Sequence, residues 1–327
     1  MRVLSCMRRP SESAHQHLSE TRFHEGMNIS AHALLAILLA TSLLLVVLAE
    51  ATLRRRLRHF RPLQLFTIAS AFALVPANIM GTRATEPSTT HTVIVLASVT
   101  ALVVQFGLLV LNWVSVQQTG RTRRVLAIGA HPDDLELACG GTLARLADAG
   151  HEVHTLVMSD GAIGGDSTVR LTEATKGSTF LRATKCEVHG LPDTHLPEYG
   201  NEMVRIIEQK IRSLNPDMIF THSSHDQHQD HNAVHWATMR AGRNHPAILC
   251  FESPSVTKEF SPQVFVDIED WVQTKATAVQ IHHDQSDKPY MSEESLTAMS
   301  TFRGAQGRIG RAEGFEAVRV NAFSGVL

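Results

Sequence analysis

Residues 125–136 of the chain read VLAIGAHPDDLE, and this stretch decides the fold. It opens with an apolar run over residues 125–129, whose length predicts a buried β-strand. His131, Asp133 and Asp134 follow the run directly. Ligands of open α/β sheets bind beyond the carboxyl ends of the strands, so we expect these polar side chains at an edge of the sheet where chemistry takes place.

The sequence after residue 124 alternates between apolar runs of strand length and patterns of helix length. Strands are predicted over residues 125–129, 153–158, 188–191, 218–221, 248–251 and 264–268. Helices are predicted over residues 140–149, 201–214, 231–242 and 269–282. This alternation is typical of an α/β fold, and we expect a Rossmann-like, doubly wound, mostly parallel sheet with right-handed crossovers.

A second polar loop follows the strand predicted over residues 218–221, because residues 222–231 read HSSHDQHQDH. Zinc and similar divalent cations bind imidazole and carboxylate groups, and a catalytic site uses three such ligands. His131, Asp134 and His231 can supply that set. The two loops therefore predict a metal site at one edge of the sheet.

The polar residues beside these candidate ligands suit proton transfer. Asp133 would lie next to the cation without binding it, where a carboxylate can accept a proton from water. His228 precedes His231 by three residues, so one helical turn places both imidazoles on one rim. Asp230 can hydrogen-bond an imidazole and hold it in one tautomer.

Each loop alone also has an ordinary interpretation. Pro and Asp favour turns and helix caps, so residues 131–134 can be only a turn. A histidine-rich loop can be solvated, which is the favoured interpretation for His222 and His225, with contact to a metal ligand as the alternative. His235 is expected on a helix surface. Two such loops at strand ends favour the metal site, because unrelated turns have no reason to converge.

The same two loops resemble the signatures of the PIG-L/LmbE-like de-N-acetylases. Residues 130–136 match the family's AHPDDxE motif, and residues 227–231 match its HxDH motif. Looser matches occur in the family's order along the chain, among them Arg170 with Glu173 and Asp193 after Leu-Pro. The resemblance runs from the region of residue 124 to the C-terminus.

The resemblance implies a zinc-dependent amidase that removes the acetyl group from an N-acetylated amino sugar. The implied residues are the metal ligands His131, Asp134 and His231, the catalytic residues Asp133, His228 and Asp230, and the substrate-binding residues Arg170 and Asp193. Within this set Asp133 is the general base. His228, with Asp230 beside it, acts as the acid or stabilises the oxyanion.

Three uncharged runs precede this region and predict a membrane segment. They cover residues 31–49, 63–80 and 92–116. The first and third are long enough to cross a hydrocarbon core of about 30 Å, whereas the second contains Pro76 and is marginal by length. None carries Asp, Glu, Lys or Arg, which disfavours a role in ion transport.

The distribution of arginine gives an orientation for these runs. Arginines cluster over residues 54–61 and 121–124, whereas residues 81–91 carry only Arg83 and Glu86. Cytoplasmic loops are enriched in Lys and Arg, and placing both clusters in the cytoplasm requires three crossings. We therefore expect a multi-pass membrane protein whose catalytic domain faces the cytoplasm.

The domain organisation follows from these runs. We expect a membrane region over residues 27–119, with two to three transmembrane helices, and a catalytic domain over residues 120–327. The leader, residues 1–26, carries four arginines that would lie outside. Met27 is therefore an alternative start, and a cleaved secretory signal is the rival interpretation.

Composition excludes several classes of protein. The chain has 327 residues, with 30 Lys and Arg against 32 Asp and Glu, and the net charge of -2 argues against a general nucleic-acid binder. Its four cysteines form no CxxC pair, which excludes a disulfide framework and a cysteine-based zinc site. The 19 histidines are unusually many, and several lie in the two candidate loops.

We therefore expect a membrane-anchored deacetylase of an N-acetylglucosamine-containing glycoconjugate, with one Zn²⁺ per chain and Fe²⁺ as the alternative metal. Membrane attachment favours a lipid-linked glycan among such substrates. The alternatives are a deacetylase of a soluble thiol-precursor or antibiotic amino sugar, and a membrane-anchored protein that binds a sugar without hydrolysing it. The intact candidate base Asp133 argues against the last, because a binding module needs no base.

Overall fold

The structure is a computed structural model that describes residues 31–83, 88–114 and 120–320. The expectations for the leader and for Met27 concern residues outside these ranges. The described chain divides into two compact units. One is an apolar helical unit that extends to Trp113, and the other is an α/β unit that comprises Arg54–Arg58 and the chain from Val114 onward.

Three long helices form the helical unit. They are α1 (Ala31–Leu48), α3 (Phe60–Gly81) and α4 (Thr89–Leu111), and each is long and apolar enough to cross a membrane. The run over residues 63–80, marginal by its length, is thus part of a 22-residue helix that continues through Pro76. Proline is tolerated in membrane helices because neighbouring groups satisfy the carbonyl that it leaves free. A short helix, α2 (Glu50–Arg56), lies between α1 and α3 in the chain.

The helical unit contains buried polar side chains that its apolar composition does not indicate. His32 Nδ1 lies 2.8 Å from Asn78 Oδ1, and Asn78 Nδ2 donates a 2.7 Å hydrogen bond to Ser98 Oγ. Gln105 Nε2 likewise donates to Ser70 Oγ at 2.8 Å. These bonds join α1 to α3 and α3 to α4.

Seven strands form one sheet in the α/β unit, in the order β3-β2-β1-β4-β5-β7-β6. They are β1 (Arg124–Gly129), β2 (Glu152–Ser159), β3 (Lys185–Leu191), β4 (Met218–His222), β5 (Ile248–Phe251), β6 (Val264–Asp267) and β7 (Ala312–Arg319). The first five are parallel neighbours, as the alternating pattern predicts. The sheet is mixed because β7 runs antiparallel to β5 and β6.

Helices cover both faces of the sheet. They are α5 (Asp134–Asp148), α6 (Ser167–Phe180), α7 (Gly200–Leu214), α8 (Gln229–Ala241), α9 (Val272–Gln280) and α10 (Glu293–Gly307). The predicted elements do not include the helices α6 and α10 or the strand β7. Both helices are rich in Ser and Thr and lack a continuous apolar stripe, so their periodicity is weak.

The central strands of the sheet separate two apolar layers of the core. Val125 and Ala127 of β1 pack in one layer, and Leu126 and Ile128 pack in the other. All four side chains are fully buried, as expected of a strand at the centre of a doubly wound sheet. The alternation of a strand places successive side chains on opposite faces.

The pairing of β1 with β4 positions the functional loops. The two strands are parallel neighbours with Val125 opposite Met218. Their carboxyl ends therefore meet at one edge of the sheet. The loop after β1 carries His131, and the loop after β4 leads to His231 at the start of α8.

Candidate metal-dependent active site

Three of the predicted ligands converge beyond the ends of β1 and β4. The donor atoms of His131, Asp134 and His231 all lie within 4.8 Å of one another. His131 Nδ1 is 3.3 Å from His231 Nε2, and His231 Nε2 is 3.4 Å from Asp134 Oδ1. All three side chains are buried. The structure thus brings the predicted set together around one point.

In each candidate imidazole, the ring nitrogen that does not face the other candidate ligands contacts a carboxylate. His131 Nε2 lies 3.1 Å from Asp193 Oδ1 and 3.1 Å from Asp230 Oδ2. His231 Nδ1 lies 2.9 Å from Asp226 Oδ2. Each ring can donate its N–H to a carboxylate and keep its other nitrogen as a lone-pair donor, which is the usual arrangement around metal-binding histidines. Two imidazole nitrogens and one carboxylate fit a catalytic divalent cation.

Hydrogen bonds within the first loop orient the carboxylate of this set. Asp134 Oδ2 accepts hydrogen bonds from the backbone N–H groups of Ala130, at 2.9 Å, and His131, at 2.7 Å. His222 Nε2 lies 3.1 Å from the same oxygen. The pKa of Asp134 lies well below its ordinary value, because the imidazoles of His231, His222 and His131 outweigh the effect of burial.

The expectations for the outer histidines are partly wrong. His222 is fully buried rather than solvated, because it lies at the end of a central strand and contacts Asp134. Burial and the nearby His231 lower its pKa to about 4, so its ring is neutral at pH 7. His235 is also buried, with Nδ1 2.8 Å from the carbonyl oxygen of His222. His225 is largely exposed, as expected.

Asp133 occupies a constrained position at the beginning of α5. Its φ is 131°, a conformation that non-glycine residues rarely adopt and that is common at functional sites. Its carboxyl group is buried and lies beside Asp134. Burial and that second negative charge raise the pKa of Asp133, although the guanidinium of Arg170 opposes them. A carboxylate with a raised pKa is a better proton acceptor near neutral pH.

The guanidinium of Arg170 contacts the carboxylate of Asp133. Its guanidinium donates hydrogen bonds to the carbonyl oxygens of Gly161 and Pro132, at 2.7 and 3.2 Å, and to Asp133 Oδ1 at 3.3 Å. Gly161 has a positive φ, and a Cβ there would collide with the guanidinium, so the close approach requires glycine. Arg170 lines the cavity, but its hydrogen bonds are made within the protein. The predicted contact with a sugar stays a prediction.

Asp193 is likewise engaged with protein groups. Its Oδ2 accepts hydrogen bonds from the backbone N–H groups of Ile163, at 2.8 Å, and Gly164, at 3.2 Å, while Oδ1 faces His131. The carboxylate therefore ties the loop after β2 to a candidate ligand. Its predicted contact with the substrate stays a prediction, although it lies in the cavity wall.

Asp230 contacts an imidazole, that of His131. Its carboxylate accepts hydrogen bonds from the N–H groups of Thr194, at 2.7 Å, and Leu196, at 3.1 Å, and faces His131. It makes only a backbone contact with His228, because its own N–H donates to Nδ1 of that ring at 3.2 Å. The geometry therefore makes Asp230 a partner of a candidate metal ligand.

The backbone contact to His228 determines which of its nitrogens can donate. Because Nδ1 accepts the N–H of Asp230, a neutral ring carries its proton on Nε2. The ring stacks on His231, with centroids 4.5 Å apart, and lines the cavity. Burial and the neighbouring imidazoles lower the pKa of His228. The side chain thus presents an N–H donor beside the candidate metal ligands.

One residue that contacts a candidate ligand, Asp226, is absent from the predicted set. Asp226 holds His231 and accepts hydrogen bonds from Ser253, at 2.5 Å, and Ser255, at 2.7 Å, both in the loop after β5. Its position between two histidines of the second loop was a signal that could have identified it. His222, which contacts Asp134, fits the alternative interpretation of a residue that supports a metal ligand.

The convergent side chains line an open cavity of about 310 Å³. Its wall includes the candidate ligands together with Asp133, Arg170, Asp193, His228, Lys288 and Tyr290. A buried cation site beside a proton acceptor and an N–H donor can catalyse hydrolysis of a carbonyl compound. The cavity is wide enough for a small polar molecule.

Part of the chain matches a known protein family. Residues 126–242 match the model of the PIG-L family, described as GlcNAc-PI de-N-acetylase. The match includes both polar loops and begins after the apolar helices. The helical unit therefore lies outside the matched region.

Individual relatives are also deacetylases by name. The chain is 34% identical over 180 residues to the uncharacterized deacetylase YaiS of Escherichia coli. The match covers 53% of this chain and 97% of that protein. It is 29% identical over 187 residues to the diacetylchitobiose deacetylase of Thermococcus kodakarensis. That match covers 50% of this chain and 70% of the relative. Among solved structures, the conserved protein TT1542 of Thermus thermophilus matches with a TM-score of 0.55 and 25% identity, covering 62% of this chain and 97% of that one.

Proposed function

Because the chain belongs to the PIG-L family of deacetylases, we propose that it hydrolyses the acetamide of an N-acetylglucosamine-containing glycoconjugate, releasing acetate and a free amine. The observation that carries this proposal is the convergence of His131, Asp134 and His231 beside the buried carboxylate of Asp133. The amino-sugar substrate named for the Thermococcus relative supports the choice of substrate class.

The proposed cofactor is one zinc ion held by His131, Asp134 and His231, with iron(II) as the alternative for the same ligands. A divalent cation there supplies a Lewis acid that polarises the acetamide carbonyl and lowers the pKa of a water molecule. The carboxylates of Asp193, Asp226 and Asp230 keep the two imidazoles in the orientation and tautomer that binding requires.

Asp133 and His228 carry the proposed proton transfers. Asp133 accepts a proton from the attacking water, and its raised pKa suits it to this task. The N–H on Nε2 of His228 stabilises the carbonyl oxygen as it becomes negative. The amine leaves only when protonated, and Asp133 can return the proton that it took from water. Arg170 keeps Asp133 in place throughout.

We further propose that the helical unit anchors the enzyme in a membrane, with α1, α3 and α4 as three crossings and residues 120–327 as the catalytic domain on the cytoplasmic side. The length and apolar character of these helices support the anchor. The arginine distribution supports the orientation. A membrane location favours a lipid-linked amino sugar as the physiological substrate.

The test is an assay of amine release by the full-length protein, loaded with zinc and reconstituted in lipid nanodiscs. The panel contains N-acetylglucosamine, diacetylchitobiose, N-acetylglucosaminyl phosphatidylinositol and a glycopeptide antibiotic that carries an N-acetylated amino sugar. Turnover of a lipid-linked member above the soluble ones would support the proposal. Preferential turnover of a soluble member would favour the alternative substrates, and binding without turnover would identify a sugar-binding protein.

A further inference from the structure

A second cleft lies beside the site cavity in the α/β unit. It has a volume of about 120 Å³ and lies between α10, α5 and β7. The cleft and the site cavity are both lined by Leu137, Pro254 and Tyr290, which form a common wall. Tyr290 is 38% exposed, so this wall reaches the protein surface. A molecule that extends out of the site cavity over this wall would enter the cleft.

The charged side chains that line the cleft are already paired within the protein. Lys275 Nζ lies 2.7 Å from Glu313 Oε1, and Glu313 also accepts hydrogen bonds from the backbone of α5. Arg303 Nε donates to Glu252 Oε2 at 2.8 Å. Charges that are satisfied in this way leave little to attract a charged ligand.

The serine hydroxyls in the lining are also satisfied. Ser253 Oγ donates to Asp226, Ser295 Oγ donates to the carbonyl oxygen of Pro289, and Ser300 Oγ donates to that of Leu296. A polar sugar would find few free partners among these groups, and its own hydroxyls would lose hydrogen bonds to water.

The surface that the cleft does offer is apolar. Leu137, Leu296 and Met299 line it, and Met299 is 49% exposed although it is a large hydrophobic residue. Small-molecule sites are lined mostly by apolar side chains, and methionine adapts to ligands of different shape.

We propose that this cleft binds an apolar group joined to the acetamido sugar that occupies the site cavity, so that the substrate is an amino-sugar glycoside with a hydrophobic aglycone. This inference rests on the proposed function. Adjacency to the site cavity selects this occupant, because Leu137, Pro254 and Tyr290 line both the cleft and the cavity. The site cavity then recognises the acetamido group, and the cleft recognises what the sugar is attached to.

The test compares methyl and benzyl N-acetyl-β-glucosaminide as substrates of the full-length protein in nanodiscs, with empty nanodiscs as the blank. The methyl glycoside has no group that reaches the cleft. We expect kcat/KM for the benzyl glycoside to be about tenfold higher or more, the discrimination typical of an apolar pocket. In Met299→Gln, which keeps the length of the side chain but makes it polar, this ratio should fall severalfold.

Two control variants accompany this measurement. Met299→Leu keeps the apolar surface and should retain the preference for the benzyl glycoside. Val318→Gln adds the same amide to another partly exposed position, 41% accessible on β7 and outside the cleft lining, and should leave both rates unchanged. Equal rates for the two glycosides, or an equal preference in Met299→Gln, would overturn the proposal.

Calorimetric binding of the two glycosides separates this proposal from the proposed function. Tighter binding of the benzyl glycoside that depends on Met299 supports the cleft even when neither glycoside is hydrolysed, and that result would overturn only the proposed function. Hydrolysis of both glycosides with equal rates and equal affinities would overturn the cleft and support the deacetylase.

Discussion

The α/β unit and the helical unit both bury histidine among polar side chains, but the partners have different charge. In the α/β unit the carboxylates of Asp193, Asp226 and Asp230 face the two candidate metal-binding imidazoles. In the helical unit His32 faces the neutral amide of Asn78, whose Nδ2 in turn donates to a serine. A buried polar cluster is therefore not by itself a site, and the charge of the partners distinguishes the two.

The physical reason is the demand of a cation for negative charge. Three carboxylates around two imidazoles orient the rings and make them stronger donors to a divalent ion. An amide and a hydroxyl join helices by hydrogen bonds but carry no charge to offset that of an ion. Variants in both units test this distinction.

The largest effect is expected for Asp133→Asn. This change removes the proposed proton acceptor and keeps the size of the side chain, so amine release should fall by about 10²–10⁴-fold. Zinc content, measured by atomic emission, should stay at one ion per chain, because Asp133 is not a proposed ligand. A variant that retained full activity would show that Asp133 is not the base, and a variant that lost zinc would place it among the ligands.

Asp226→Asn should weaken metal binding with a smaller effect on chemistry. The variant leaves Nδ1 of His231 without its carboxylate partner, and loss of such a partner typically costs about 10–100-fold in metal affinity. Competition with a chelator measures the affinity, and excess zinc should restore activity. Asp160→Asn removes a partly exposed carboxylate from the loop after β2 and is the matched control, with an expected affinity equal to that of the wild type.

A third prediction concerns a buried histidine that faces carboxylates away from the candidate ligands. His282 Nε2 lies 3.5 Å from Glu136 Oε2, and both side chains are buried. Burial opposes the charge on His282, but Glu136, with smaller contributions from Asp133 and Glu173, outweighs it and raises the pKa. The pair should therefore stabilise the fold fully below about pH 6.5, the ordinary pKa of histidine, and less as the pH rises through the folded-state pKa.

Glu136→Gln tests this pH dependence. The wild type should lose stability relative to the variant above about pH 6.5, by at most about 1.4 kcal/mol per pH unit. Hydrogen exchange of α5 and α9 amides in the full-length protein, measured from pH 6 to pH 9 and corrected for the intrinsic rate, reports the difference. Parallel stability curves for the two proteins would show that His282 is neutral in the folded state.

The smallest effect is expected in the helical unit. Asn78→Leu removes the hydrogen bonds to His32 and Ser98, and such bonds between membrane helices contribute about 0.6 kcal/mol on average. The variant should unfold at slightly lower SDS concentration and keep its zinc content and activity. A large loss of activity in Asn78→Leu would contradict the distinction between the two units, because it would give the neutral cluster a functional role.

Much of the fold was predictable because its signals are local. Strand and helix patterns repeat every two and 3.6 residues, and uncharged runs long enough to cross a bilayer are visible without any tertiary information. These signals predicted the five parallel strands of the sheet and two to three apolar helices, with the interrupted run around Pro76 as the third. They missed α6 and α10, whose side chains are mostly polar or small.

By itself the sequence determined which residues could bind a metal, because the two polar loops follow two strands whose carboxyl ends meet at one edge of a parallel sheet. The tertiary structure alone determined which histidine or arginine each carboxylate contacts. Asp230 lies 99 positions from His131 in the chain yet faces it, and Arg170 lies 37 positions from the Asp133 that it holds. The order and register of the strands set these distances, and neither is encoded in any local pattern of the chain.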